Sequence, residues 1–274
     1  MPPKFSHRFS GVSVWIEPDP DQSSQLISEM EYLRTKCGGS EAGQYTFVPH
    51  CTLLYNTSLH VDGGDGDKTD GSCDKQTKQQ QGEYMLRQCL EEYQTQINGT
   101  CNDGQQQTND GKLHLIPTSQ YYFPYPKTAD NGKGFGCCIS LLILDTTHQL
   151  KLLHDIVRNR FPPDERHGGN NSDDCNDNND EEEEEEEGKE PRFRPHMALV
   201  YAPEDHENVI NRWLEKYTLQ NEAEKRYAQW IPAEQDHVGD DASVGWNAKY
   251  LSLWSTEGNL DEWYPIFKLD LATI

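Results

Sequence analysis

The chain of 274 residues is short of positive charge, of cysteine and of long apolar runs. Its 24 Lys and Arg face 47 Asp and Glu, a formal net charge of -23, which excludes a basic nucleic-acid coat. Between Asp164 and Glu190, 14 acids stand against two bases; this local -12 leaves -11 for the rest. The most apolar stretch, Cys137 to Leu144, is eight residues long, one of them Ser140, whereas a membrane helix needs about 18 apolar residues; no membrane span is expected. The opening MPPKFSHRFS has bases but no apolar stretch behind it, so no secretory signal is read. Eight cysteines with no C-x-x-C pair are too sparse for a disulfide scaffold, and reduced thiols in the cytoplasm or nucleus are expected. There is no H-E-x-x-H, H-x-x-x-H, G-x-x-x-x-G-K-[ST] or G-x-G-x-x-G pattern. No metal site or cofactor is therefore expected.

Order is expected in most of the chain. Phe9 to Ile16, Phe47 to Tyr55, Lys112 to Phe123, Phe135 to Leu144, Arg194 to Tyr201, Tyr250 to Trp254 and Ile266 to Leu271 read as strands. Ser23 to Lys36, Glu83 to Ile97, Thr147 to Phe161 and Pro203 to Tyr217 read as helices. Phe135 to Leu144 is apolar enough for the middle of a sheet. Helices and strands mix without a strict βαβ repeat, which predicts an α+β fold. Three segments, 61–82, 98–112 and 164–190, are polar or carry a run of acids, and are read as disordered insertions within one domain spanning 1–274. The expected state is a monomer.

One internal repeat stands out. Phe47-Val48-Pro49-His50-Cys51-Thr52-Leu53-Leu54-Tyr55 matches Phe193-Arg194-Pro195-His196-Met197-Ala198-Leu199-Val200-Tyr201 at five of nine positions. Two halves of a pseudo-symmetric domain would show this. On a strand, residues two apart share a face, so His50 lies with Thr52, and His196 with Ala198. If the strands are neighbours, two imidazoles and a hydroxyl meet. Two histidines suffice for phosphodiester hydrolysis without a metal. One takes a proton from the attacking water and the other gives one to the leaving oxygen, and an ordinary pKa near 6.5 supplies both forms at neutral pH. A hydroxyl beside them stabilises charge on a phosphate oxygen.

This doubled H-x-[ST] pattern resembles the 2H phosphoesterases, and within them the second copy is closest to the P-H-x-S-L-x-Y form of the cyclic phosphodiesterases of plants and yeast. Val14-Trp15-Ile16-Glu17-Pro18 resembles the V-W-x-x-P opening of the plant members. Leu253-Trp254-Ser255-Thr256-Glu257-Gly258 resembles their closing strand, where a short acidic turn leads to a Trp such as Trp263. The resemblance implies a bilobal fold, two pseudo-symmetric lobes with antiparallel sheets around a central cleft. It implies hydrolysis of nucleoside 2',3'-cyclic phosphate to the 2'-phosphate, and of ADP-ribose 1'',2''-cyclic phosphate to ADP-ribose 1''-phosphate as in tRNA splicing.

Carried across, His50 and His196 are the catalytic pair, Thr52 binds phosphate, Tyr201 matches a tyrosine that reaches the phosphate, and Trp15 lines the cleft wall. Analogy with related hydrolyses has His196 activate water and His50 protonate the leaving oxygen. One position departs: Ala198 stands where the family has Ser or Thr. A non-catalytic module that binds nucleotides or RNA ends is therefore the alternative, as is an enzyme acting on longer RNA. The folded part shows no basic stripe for long RNA, so the expected partner is a small cyclic nucleotide.

Overall fold

A computed structural model describes residues 11–38, 47–57, 59, 71–100, 113–122, 138–161, 193–201, 245–257 and 262–271. Strand β1 (Val12–Pro18) alternates cleanly: Val12, Val14 and Ile16 enter the core, while Ser13, Trp15 and Glu17 point to the opposite face. Beyond Pro18 a turn is held by the Asp21 amide donating to Asp19 Oδ1 (3.0 Å) and the Ser23 hydroxyl donating to the Pro20 carbonyl (3.0 Å). Helix α1 (Ser24–Gly38) follows and buries Leu26 and Leu33. Strand β2 (Cys51–Thr57) comes next, then helix α2 (Gly71–Thr100).

Leu86, Cys89, Leu90 and Tyr93 of α2 are buried at the three- and four-residue spacing of one helix face, and Arg87 pairs outward with Glu83 (2.8 Å). This helix begins well before the expected Glu83 and takes in residues 71–82, read from their polarity as disordered. Lys and Gln lose little in a helix. Once Leu86 to Tyr93 are packed, each further turn avoids the nucleation penalty. Gly82 lets this turn approach the sheet, because a Cβ there would run into Leu253. Residues 98–100, expected in a loop, form the last turn. The remainder of the three expected insertions, and the helix expected at 203–217, lie outside the described residues.

Strands β3 (His114–Tyr122) and β4 (Cys138–Leu144) lead to helix α3 (Gln149–Arg160), whose Leu150, Leu153, Ile156 and Val157 are buried. Its first turn is capped from outside: the Asp145 carboxylate accepts from the amides of Leu150 (3.1 Å) and Lys151 (2.8 Å). Arg158 and Arg160 close the last turn, where positive charge suits the helix dipole. Strands β5 (His196–Tyr201), β6 (Trp246–Ser255) and β7 (Tyr264–Asp270) complete the order. No helix among the described residues is long and apolar enough to cross a membrane.

The fold is α+β, with three helices and a seven-stranded antiparallel sheet among the described residues. Strand order is β1-β2-β5-β4-β3-β6-β7, so β4 is central, as its apolar sequence predicts. Strand β6 also pairs with β1, Trp15 opposite Ser252, while its first residues pair with β3, Leu115 opposite Trp246. The path β1-β2-β5-β4-β3-β6 thus returns to its start. Gly245, at φ +138°, opens β6 against the Leu115 carbonyl, a conformation and an approach that a side chain would forbid. Helices α2 and α3 pack on each other; α2 lies against β6 and β7, α3 against β2, and α1 against β5.

Candidate active site

Pro49 and Pro195 each stand one residue before a histidine at the mouth of a strand. In both copies the chain turns so that the imidazole reaches back to the carbonyl before the proline. His50 Nδ1 lies 2.7 Å from the Val48 oxygen, and His196 Nδ1 lies 3.0 Å from the Arg194 oxygen. A carbonyl only accepts, so Nδ1 carries the hydrogen in each ring. Nε2 is then the nitrogen left to exchange protons with a ligand. The P-H element of the repeat therefore fixes the tautomer twice over.

The sheet brings the two rings together. Strands β2 and β5 are antiparallel neighbours with Cys51 opposite Met197. Both of those side chains are fully buried, so the adjacent residues on each strand face the other way. Continuing that register sets His50 opposite Ala198 and Thr52 opposite His196, all on one face. On the far side of β2, Thr52 is paired with Trp15 of β1. Four of the five expected site residues (His50, His196, Thr52 and Trp15) thus sit on adjoining strands of one sheet. Tyr201 closes β5 opposite Cys138; its side chain lies outside the described residues.

Aromatic rings enclose His50. Trp15 stacks flat on it, 3.6 Å between centroids and 8° between planes, and Phe47 meets it edge-on at 5.7 Å. Trp254 stacks behind Trp15 at 4.6 Å, and Trp263 leans on it at 5.7 Å. The result is a histidine only 1% exposed. Burial pushes its pKa down to about 3; the hydrogen bond to Val48 opposes this, and the charge of a protonated His196 adds to it. At neutral pH His50 is a neutral ring with a free lone pair on Nε2. The ordinary value of 6.5 that the sequence suggests does not hold inside this wall. Cys51, between His50 and Thr52, faces the core, and burial raises its thiol to about 12, so it offers no thiolate.

Two supporting residues escaped the sequence reading. Glu17, two positions beyond Trp15 on the same face, is 3% exposed. Its carboxylate accepts from Trp254 Nε1 (2.8 Å) and from Lys268 Nζ (2.5 Å). Lys268 also lies 5.0 Å over the Trp254 ring. A buried acid, a lysine and a tryptophan from three strands therefore hold the stack that presses on His50. The i, i+2 spacing of Trp15 and Glu17 is the only signal of this in the sequence, and it does not name Lys268. In the second copy Phe193 stacks on His154 of α3 (4.1 Å, 16°), which anchors that motif to a helix.

Two histidines in the same tautomer, on paired strands beside a hydroxyl, can accept a proton at one point and deliver one at another. That is the equipment of a two-histidine phosphoesterase. A model of the cyclic phosphodiesterase-like protein family matches residues 135–271, half the chain, and the chain belongs to this family of 2H phosphoesterases. The matched stretch contains His196 and Ala198. His50, Thr52 and Trp15 precede it, and join it through the internal repeat and the pairing of Cys51 with Met197. No curated protein matches the chain.

Proposed function

We propose that the protein hydrolyses the cyclic phosphates of small nucleotides without a metal, opening nucleoside 2',3'-cyclic phosphate to the 2'-phosphate, ADP-ribose 1'',2''-cyclic phosphate to ADP-ribose 1''-phosphate, or both. The observation that carries this reading is the antiparallel pairing of Cys51 with Met197, which sets His50 and His196 on one face. In the reaction, water adds to phosphorus and gives its proton to one imidazole. The bond from phosphorus to the 3'-oxygen breaks, and the other imidazole protonates that oxygen. Thr52 donates to a non-bridging oxygen, Trp15 walls the site, and Tyr201 reaches the phosphate. The two strand motifs make two pseudo-symmetric lobes of one domain, with the substrate between them.

In the free protein His50 starts neutral, which suits it to accept the proton from water, with His196 as the acid. The opposite order, which analogy with related hydrolyses suggests, requires His50 to take up a proton as the anionic substrate enters. Isothermal titration with the unreactive product in two buffers of different ionisation enthalpy separates the orders, since only the second absorbs a proton at His50.

Hydrolysis of 2',3'-cyclic AMP in EDTA, with the phosphate position of the product read by phosphorus NMR, tests the activity. Turnover to the 2'-phosphate is expected. A folded protein that binds adenosine 2'-phosphate yet turns nothing over would instead support a binding module, the reading that Ala198 favours.

A further inference from the structure

The two copies of the repeat differ where a hydroxyl matters. Thr52 follows His50 by two residues, and its counterpart after His196 is the methyl group of Ala198. The first half of the site has a donor on its own strand and the second half has none. The neighbouring strand fills the gap. Ser140 of β4 is the cross-strand partner of Ala198, with Leu141 opposite Met197 and Leu142 opposite His196. Directly opposed residues of an antiparallel pair share a face. Leu141 and Met197 are both fully buried in the core, so Ser140 and Ala198 lie with His196 on the histidine face.

The match is to the pseudo-symmetry as well as to the face. Trp15 is the partner of Thr52 from the strand flanking the first motif, and Ser140 is the partner of Ala198 from the strand flanking the second. Beside Ser140 the ladder shifts register, between Ile139 and Ser140, and such irregularities re-aim side chains next to active sites. Ser140 is also the one polar residue in Cys137-Cys138-Ile139-Ser140-Leu141-Leu142-Ile143-Leu144, and it is 0% exposed.

We propose that Ser140 supplies the second hydroxyl donor to the phosphate, a role moved from the histidine's own strand to the strand beside it. Opposed Cβ atoms stand about 5 Å apart, so a non-bridging oxygen held by Ser140 shifts by about the length of one side chain from where a hydroxyl at position 198 would hold it. This rests on the proposed hydrolysis, and the test separates the two.

Ser140→Ala, and the near-isosteric weak donor Ser140→Cys in case the alanine variant does not fold, are assayed on 2',3'-cyclic AMP with unfolding midpoints measured alongside. Both should lower kcat by about 10²–10³, and adding Ala198→Ser to Ser140→Ala should restore most of the loss. A purely structural serine would not be rescued from the facing strand. A folded Ser140→Ala within threefold of the parent, or a double variant no faster than Ser140→Ala, overturns the proposal. If the parent itself shows no turnover, the hydrolytic reading fails and affinity for adenosine 2'-phosphate becomes the readout. Weakening of about tenfold or more in Ser140→Ala, regained with Ala198→Ser, sustains the donor role; unchanged affinity overturns it.

Discussion

Burial first, and the charge on His196 last, hold the His50 imidazole at a pKa of about 3, against its ordinary 6.5. The sign follows from proton binding. Between pH 6.5 and about 3 the unfolded chain binds a proton at His50 that the folded chain does not. Stability therefore falls as pH drops through that window, and above it His50 contributes no pH dependence. The full effect is of order 5 kcal/mol at most. His50→Gln should flatten the fall in urea midpoint between pH 7 and pH 4 relative to the parent. Parallel curves for the two proteins would show that the ring is hydrated. The same shift bears on catalysis, because kcat/KM reports groups of the free enzyme. If His50 is the base, the acid limb of that profile lies well below pH 6.5.

Three neighbouring strands cooperate in holding the wall against His50. Glu17 of β1 is buried, Trp254 of β6 donates to it, and Lys268 of β7 is about one-third exposed. Removing the two charged partners is not equivalent. Without Glu17, the Lys268 ammonium turns to water. Without Lys268, a carboxylate stays buried with its charge uncompensated, which costs about 3 kcal/mol or more. Lys268→Met should therefore destabilise the protein more than Glu17→Gln, in which Oε1 still accepts from Trp254. Chemical denaturation of both variants measures this, and equal losses would mean that Glu17 is reached by water. The aromatic spacing of Trp15 and Trp254 is legible in the sequence as alternation on two strands. Their stacking is not, because register between β1 and β6 decides which residues face each other.

At the scale of the molecule, the site exists only because the closed strand path brings a motif near residue 50 beside one near residue 196. In the proposed reaction each half contributes one imidazole to a single proton-transfer unit. His50→Ala and His196→Ala should each lower kcat by about 10²–10⁴. The double variant should be scarcely slower than either single one, since residues acting as a unit are not additive. Steady-state rates with circular dichroism to confirm folding would show this. Losses that multiply in the double variant would mean that the two rings act in separate events. The acidic balance of the chain is compatible with the proposed small substrate, whose single phosphate would be met by hydroxyls and imidazoles rather than by a basic surface.

The paired nine-residue motif, the α+β mixture and the central place of β4 (Cys138–Leu144) were all readable from the sequence, because each rests on local spacing and hydrophobicity. Those same criteria misjudged 71–82, where polar residues extend a helix that packing elsewhere had already nucleated. They could not see that His50 is neutral, since burial beneath Trp15 and Phe47 is a property of the assembled sheet. Nor could they find Glu17, Lys268 or Ser140. Each of these acquires its partner from strands remote in the chain, and a cross-strand neighbour is set by register and closure, which only the tertiary structure decides.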